Sequence, residues 1–169
     1  MASLTVHHSS AKHDWRTPGE VIERVRTVAP IGLDPCASRE GSVGARVELH
    51  EGDDGLAWGW CRLVRGDEVV YVNSPYGRAL AAWMSKCASE AETGISIIAL
   101  TPARTDTRWL PWDSQAICFW RGRLTFEGAS APAPFPSALM CWSMSRRVVG
   151  AFDDAFGTRG QIVYPGGAA

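Results

Sequence analysis

No two of the five cysteines form a Cys-x-x-Cys pair: Cys36, Cys61, Cys87, Cys118 and Cys141 are spread along a chain of 169 residues. An odd number at such spacing builds neither a disulfide framework nor a zinc site. Cys118 and Cys141 stand in apolar runs and read as small core residues. The histidines add no metal reading, because His7, His8 and His13 sit in a polar leader and His50 is alone. His-Glu-x-x-His, Gly-x-Ser-x-Gly, the Walker loop and Gly-x-Gly-x-x-Gly are all missing, which sets aside the commonest metal, hydrolase and nucleotide sites. No metal is expected. No apolar run is long enough to cross a bilayer, and residues 1–12 lack the apolar stretch of a signal peptide. The expectation is a soluble protein of the bacterial or viral cytoplasm, with no membrane contact. An excess of charge is lacking too: the net charge is −1, which argues against coating nucleic acid by bulk charge.

What charge there is falls unevenly. Residues 20–68 carry ten acids against six bases, whereas residues 100–150 carry six bases against three acids. Nearly all these bases are arginine, which suits bidentate contact with phosphate. Hydrophobic residues make up 46% of the chain, enough for a sizeable core. The length fits one domain over residues 14–169, preceded by a flexible leader over 1–13.

Along the chain, Thr17-Pro18-Gly19-Glu20 reads as a helix start, with Thr17 as cap, Pro18 in the first turn and Glu20 completing a capping box. Val21, Val25 and Val28 then recur at helical spacing, so a helix is expected to about residue 29. Residues 31–34 form a short apolar strand ended by Pro35, and 46–50 alternate like a second. Residues 68–72 are a β-rich run closed by the loop Asn73-Ser74-Pro75-Tyr76-Gly77. Residues 79–92 are helix-like. A strand over 95–100 is expected to break at Thr101-Pro102, and 116–120 with 123–126 to form a hairpin around Arg121-Gly122. A proline-rich connector over 129–136, a strand over 138–142 and a helix over 146–156 follow. Alternating strands and helices imply βαβ units, hence an α/β fold with a mostly parallel sheet and an antiparallel edge.

Ligands of such sheets bind beyond the carboxyl ends of the strands. Two strand ends here carry unusual loops, Asp34-Pro35-Cys36-Ala37 and Asn73-Ser74-Pro75-Tyr76. The second resembles the (Asn/Asp/Ser)-Pro-Pro-(Tyr/Phe) loop of amino-methyltransferases, and the residue types suit that chemistry. An exocyclic amine on a base is a poor nucleophile, because its lone pair is delocalised into the ring. Two acceptors on its hydrogens, the Asn73 side-chain oxygen and the Ser74 carbonyl, favour a tetrahedral nitrogen and stabilise the charge that develops there. Pro75 pushes Ser74 towards an extended conformation, and Tyr76 offers a ring for a base flipped from the duplex.

The flanking segments agree in order. Asp14-Trp15-Arg16-Thr17-Pro18, Leu33-Asp34-Pro35-Cys36-Ala37, Asp54-Gly55-Leu56, the 72–78 loop, Thr101-Pro102-Ala103-Arg104, Arg121-Gly122-Arg123-Leu124-Thr125-Phe126 and Phe135-Pro136-Ser137 together resemble the phage-type DNA N6-adenine methyltransferases (Dam-like). The resemblance covers residues 14–142. It implies a Rossmann-like S-adenosylmethionine-dependent methyltransferase fold acting on DNA in a bacterial host or phage-infected cell. It also implies a cofactor pocket bordered by Trp15, Thr17 and Pro18 and by Asp34, Pro35, Cys36 and Ala37, with Asp34 on the ammonium. Asp54, with Asp53 as rival, would accept from the adenine amine of the cofactor, and Asn73 would face both cofactor and base. Arg104, Arg121 and Arg123 are candidates for DNA phosphates. The chain departs from the family pattern at Ser74, where proline is usual. Cytosine N4 methylation, methylation of a protein glutamine, and a weak relative that binds without turnover remain as alternatives at this point; oligomeric state and recognised DNA sequence are open.

Overall fold

Val21, Ile22, Val25 and Val28 occupy one stripe of a helix and are all buried. They define α1 (Gly19–Val28), which begins one residue later than a Thr17 cap requires. Pro18 is the N-cap, in extended conformation, and no side chain caps the helix. Thr17 does not act as a cap because its hydroxyl is engaged with Tyr71 and Asn73, and the following proline holds it in an extended backbone. The computed structural model describes residues 15–39 and 43–166; the expected leader over 1–13 lies outside the described residues.

Four strands are buried along their whole or nearly whole length and read as continuous apolar runs, as strands covered on both faces do. These are β1 (Ile31–Asp34), β3 (Val69–Val72), β4 (Ser96–Pro102) and β6 (Ser137–Trp142). The expected second strand shrinks to β2 (Val47–Glu48). Between β3 and β4 runs α2 (Leu80–Ala91), and after β6 comes α3 (Arg146–Phe156), capped by the Ser145 hydroxyl. With β5 (Ala116–Trp120) and β7 (Gly160–Val163) they form one seven-stranded sheet in the order β2-β1-β3-β4-β6-β5-β7. β2, β1, β3 and β4 are mutually parallel. β6 is antiparallel to both β4 and β5, so β5 points the same way as the parallel set, and β7 runs against it.

Two expectations about strands are corrected here. β4 does not break at Thr101-Pro102 but runs through it, pairing with β6 as far as Pro102 and Ser137. The Ala103 N–H points to β6, where it bonds Pro136, so the alternation of the strand turns Pro102 to the opposite side. There β3 has already ended opposite Ala99, and the missing N–H breaks no ladder bond. The second correction concerns residues 123–126, which are not a strand. Gly122 adopts φ +83 and turns the chain off the sheet. The Arg121 N–H bonds Arg159, and β5 takes β7, unforeseen from the sequence, as its outer partner. Leu124 and Phe126 are buried nevertheless.

Alternate residues of the strands divide the core. Ile31, Val69, Tyr71, Ile98, Leu100 and Leu139 face α1 and α3. Leu33, Val70, Val72, Ile97, Ala99 and Met140 face α2 and Trp60. The Val, Leu, Ile and Met side chains among these each contribute roughly 1.5–3 kcal/mol of burial. Cys118 and Cys141 are fully buried, as expected. From β1 the chain steps outward to β2, and from β3 it steps the other way to β4. The order therefore reverses between β1 and β3, and a crevice opens at their carboxyl ends.

Candidate active site

That crevice holds a cavity of about 240 Å³ lined by Trp15, Thr17, Asp34, Cys36 and Asn73 among others. Of the expected cofactor residues, these five meet there. Pro18, Pro35 and Ala37 are not among the lining residues, and all three are buried. The sequence reading missed Gly19, Ile22, Glu23 and Arg26, which form one face of α1 along the cavity, and also Arg16, Ser38, Val43 and Glu127. The 19, 22, 23, 26 spacing is a helical stripe, the one signal that pointed to that wall.

Asp34 ends β1 and is 5% exposed. One carboxylate oxygen accepts the Cys36 N–H at 3.0 Å. Burial pushes its pKa up to about 7, against the downward pull of that hydrogen bond, and Glu48 adds a smaller push upward. A buried carboxylate so poorly compensated is suited to a cationic ligand. Burial likewise drives the Cys36 thiol well above its ordinary range, so it stays protonated and is no nucleophile at neutral pH.

Asp54 is exposed and does not line this cavity; it is the only non-glycine among the described residues with positive φ, at 48°. The next residue, Gly55, presses on the Asp34 loop: a Cβ there would lie 1.9 Å from the Pro35 carbonyl oxygen. Asp53 spends its carboxylate on the His50 N–H at 2.8 Å. His50 in turn places Nδ1 3.2 Å from the Ala37 carbonyl oxygen. The 50–58 segment is thus fastened to the loop after β1.

Asn73 follows β3 directly. Its amide nitrogen donates to the Trp15 carbonyl at 2.5 Å and to the Thr17 hydroxyl at 3.0 Å, which uses both hydrogens. The Thr17 hydroxyl also lies 2.9 Å from the Tyr71 hydroxyl. The Asn73 side-chain oxygen accepts from the Tyr76 hydroxyl at 3.0 Å. Ser74 is buried, and its hydroxyl has no hydrogen-bond partner among the described residues, whereas Pro75 is exposed. The Tyr76 ring is partly buried. It meets Phe126 and Phe135 edge-on, with centroids 6.2 and 5.5 Å away, and Trp15 packs on the same two rings. Phe126 and Phe135 complete this aromatic cluster beside Asn73; the sequence showed them only as parts of longer segments.

Arg104, Arg121 and Arg123 are exposed. Arg104 follows β4 and the other two follow β5, so all three emerge on the sheet edge that carries Asp34 and Asn73. Among the described residues no group of three His, Cys, Asp or Glu side chains is placed to hold a metal ion. No helix among them is long and apolar enough to cross a membrane.

A mixed α/β sheet thus carries, at its switch point, a cavity flanked by a strand-end Asn-Ser-Pro-Tyr loop. The family model for DNA N-6-adenine-methyltransferase (Dam) matches residues 5–140, and the chain belongs to that family. It is accordingly an enzyme that methylates DNA at adenine N6, and its family implies S-adenosylmethionine as methyl donor. A search of curated proteins and a search of solved structures each returned no match. The resemblance drawn from the ordered segments is borne out, and the cytosine and glutamine alternatives gain no support.

Proposed function

We propose that residues 14–169 form one Rossmann-like methyltransferase domain that binds S-adenosylmethionine in the cavity between β1 and β3 and methylates a flipped adenine beside Asn73. The observation that carries this reading is the Asn73 amide. With both its hydrogens committed to Trp15 and Thr17, the amide can meet an amine only through its oxygen, which accepts from the Tyr76 hydroxyl in the ligand-free protein, and that is the acceptor the reaction requires. The residues around the cavity fit the cofactor: the enclosed Asp34 carboxylate suits its ammonium, and Trp15, Thr17 and Cys36 border the rest. Pro18, Pro35 and Ala37 support that lining from behind, and Asp54 is assigned to the adenine end. When bound, the cofactor supplies a methyl group activated by its sulfonium.

Asn73 and the Ser74 carbonyl accept the two hydrogens of the adenine amine and stabilise the positive charge that grows on it. No protein nucleophile is involved. Tyr76, with Phe126 and Phe135 behind it, offers aromatic surface to the base. Arg104, Arg121 and Arg123 contact backbone phosphates, which fixes position without reading sequence. We place the reaction in the cytoplasm of a bacterial host or phage-infected cell. Methyl transfer from labelled S-adenosylmethionine to unmodified DNA, followed by nucleoside analysis, tests the reading. N6-methyladenine is expected; N4-methylcytosine alone, or no product on any DNA, refutes it.

A further inference from the structure

The hydrogen bonds around Asn73 support a conclusion beyond its role as acceptor, although it rests on that role. Tyr71 and Asn73 are two residues apart along β3 and its extension, so their side chains leave the same face of the strand. Thr17, just before α1, spans both: its hydroxyl is 2.9 Å from that of Tyr71 and 3.0 Å from the Asn73 amide nitrogen. Tyr71 is fully buried and Thr17 is 8% exposed, so little water is at hand to replace a lost partner. The Trp15 carbonyl receives the other amide hydrogen. The next residue, Arg16, is held by an isolated β-bridge to Glu127, whose N–H bonds the Arg16 carbonyl at 2.9 Å.

We infer that the Trp15 carbonyl and Thr17, with Tyr71 behind it, are the positioning groups for the Asn73 amide, and that they make asparagine and not aspartate the residue this site accepts. The two partners differ in what they tolerate. A hydroxyl rotates, so Thr17 would donate to a carboxylate as readily as it accepts from an amide. The Trp15 carbonyl has no hydrogen to offer. An ionised aspartate at position 73 would set an anionic oxygen against a carbonyl oxygen at hydrogen-bond distance. A protonated aspartic acid, in contrast, donates to Trp15 and keeps a carbonyl oxygen for the amine. Tyr71 contributes by taking part in the hydroxyl pair, which leaves a Thr17 lone pair turned to Asn73.

The experiment compares Asn73→Asp, Thr17→Val, Thr17→Ser and Tyr71→Phe with the parent. The full chain is used, with saturating S-adenosylmethionine and unmodified DNA at pH 5.5 to 8.5, and urea unfolding is followed in the same buffers. Asn73→Asp is expected to lose about a hundredfold or more in turnover at pH 8 and to recover progressively as the pH falls. Its stability deficit against the parent should narrow over the same range, since a carboxyl whose folded pKa is raised destabilises most when ionised. Other ionisable groups face this position: Asp34 and Cys36 from the β1 loop, Tyr71 and Tyr76 from its own segment, and Arg16, Glu23, Arg26 and Glu127 along the cavity. All are present in the parent, so the difference between the two proteins isolates residue 73.

Thr17→Val should lower kcat about tenfold at unchanged KM for DNA, Thr17→Ser should restore it, and Tyr71→Phe should fall in between. An Asn73→Asp protein with the parent's turnover and pH profile overturns the inference. So does a Thr17→Val protein that Thr17→Ser does not improve upon. A parent without turnover on any DNA overturns the methyltransferase reading alone. The unfolding data then still decide, and Asn73→Asp as stable as the parent at pH 8 overturns the positioning.

Discussion

Replacing Asp34 by asparagine should make the ligand-free protein more stable and the cofactor complex weaker. The carboxyl is 5% exposed, and burial lifts its pKa from 3.8 to about 7. Between those values the folded protein holds a proton that the unfolded chain has released. Stability therefore falls as the pH rises from 4 to 7 and levels off above. A shift of about three units, at about 1.4 kcal/mol each, sets the loss at about 4 kcal/mol. Asparagine keeps an oxygen for the Cys36 N–H and removes the charge. The variant and the parent should match near pH 4, and the variant should be more stable by that order at pH 8. In the same variant, affinity for S-adenosylhomocysteine should fall about tenfold to a hundredfold, as for a lost hydrogen bond to a charged group of roughly 1.5–3 kcal/mol. In the parent, that affinity should rise with pH up to about 7 as the carboxylate forms. Urea unfolding at pH 4, 6 and 8 with calorimetry across the same range measures both. Parallel stability curves for the two proteins would refute the argument from burial, and unchanged affinity would refute the assignment of Asp34 to the cation.

The other predictions concern the loops around the cavity. Asn73→Ala should reduce single-turnover methylation on the order of a hundredfold or more while cofactor affinity changes little, as read by rapid quench and calorimetry. Ser74→Ala removes a buried hydroxyl without a partner among the described residues and should stabilise the protein by about 1 kcal/mol in urea unfolding. Gly55→Ala forces a methyl group onto the Pro35 carbonyl and should cost about 1–3 kcal/mol in the same assay. Arg104→Ala and Arg123→Ala should each weaken DNA binding equally across sequences and reduce its salt slope by about one; altered sequence preference with an intact slope would point to base contacts.

Most of the sheet was legible because its central strands are covered on both faces and announce themselves as apolar runs. Where a strand's course depends on its neighbour, the sequence was silent. Pro102 continues β4 only because β3 stops early on that side. The hairpin reading of residues 123–126 fails because β5 finds β7, forty residues away, and Gly122 leads the intervening chain out of the sheet. The candidate site divides in the same way. Asp34 and Asn73 stand at strand ends, where local sequence already marks them, and Trp15 and Thr17 meet them as the ordered segments suggested. Glu23 and Arg26 line the cavity together with Val43, distant in sequence, whose carbonyl accepts a hydrogen bond from Arg26. Phe126 and Phe135 reach the Tyr76 ring from two separate stretches of a connector, and no periodicity brings such stretches together.

The hydrogen bond from Tyr76 to the Asn73 oxygen sets the reference against which substrate binding is measured. Without base, that oxygen already accepts one hydrogen bond; if the adenine amine of the proposed reaction takes the place of the Tyr76 hydroxyl, one neutral hydrogen bond is exchanged for another. The exchange is close to even, and the oxygen adds little to ground-state affinity. Once the nitrogen becomes cationic, its hydrogen bond is charge-assisted and about twice as strong, and the displaced hydroxyl offers nothing comparable. On the proposed reading Asn73 thereby serves the transition state, where alone a stronger interaction accelerates the chemical step.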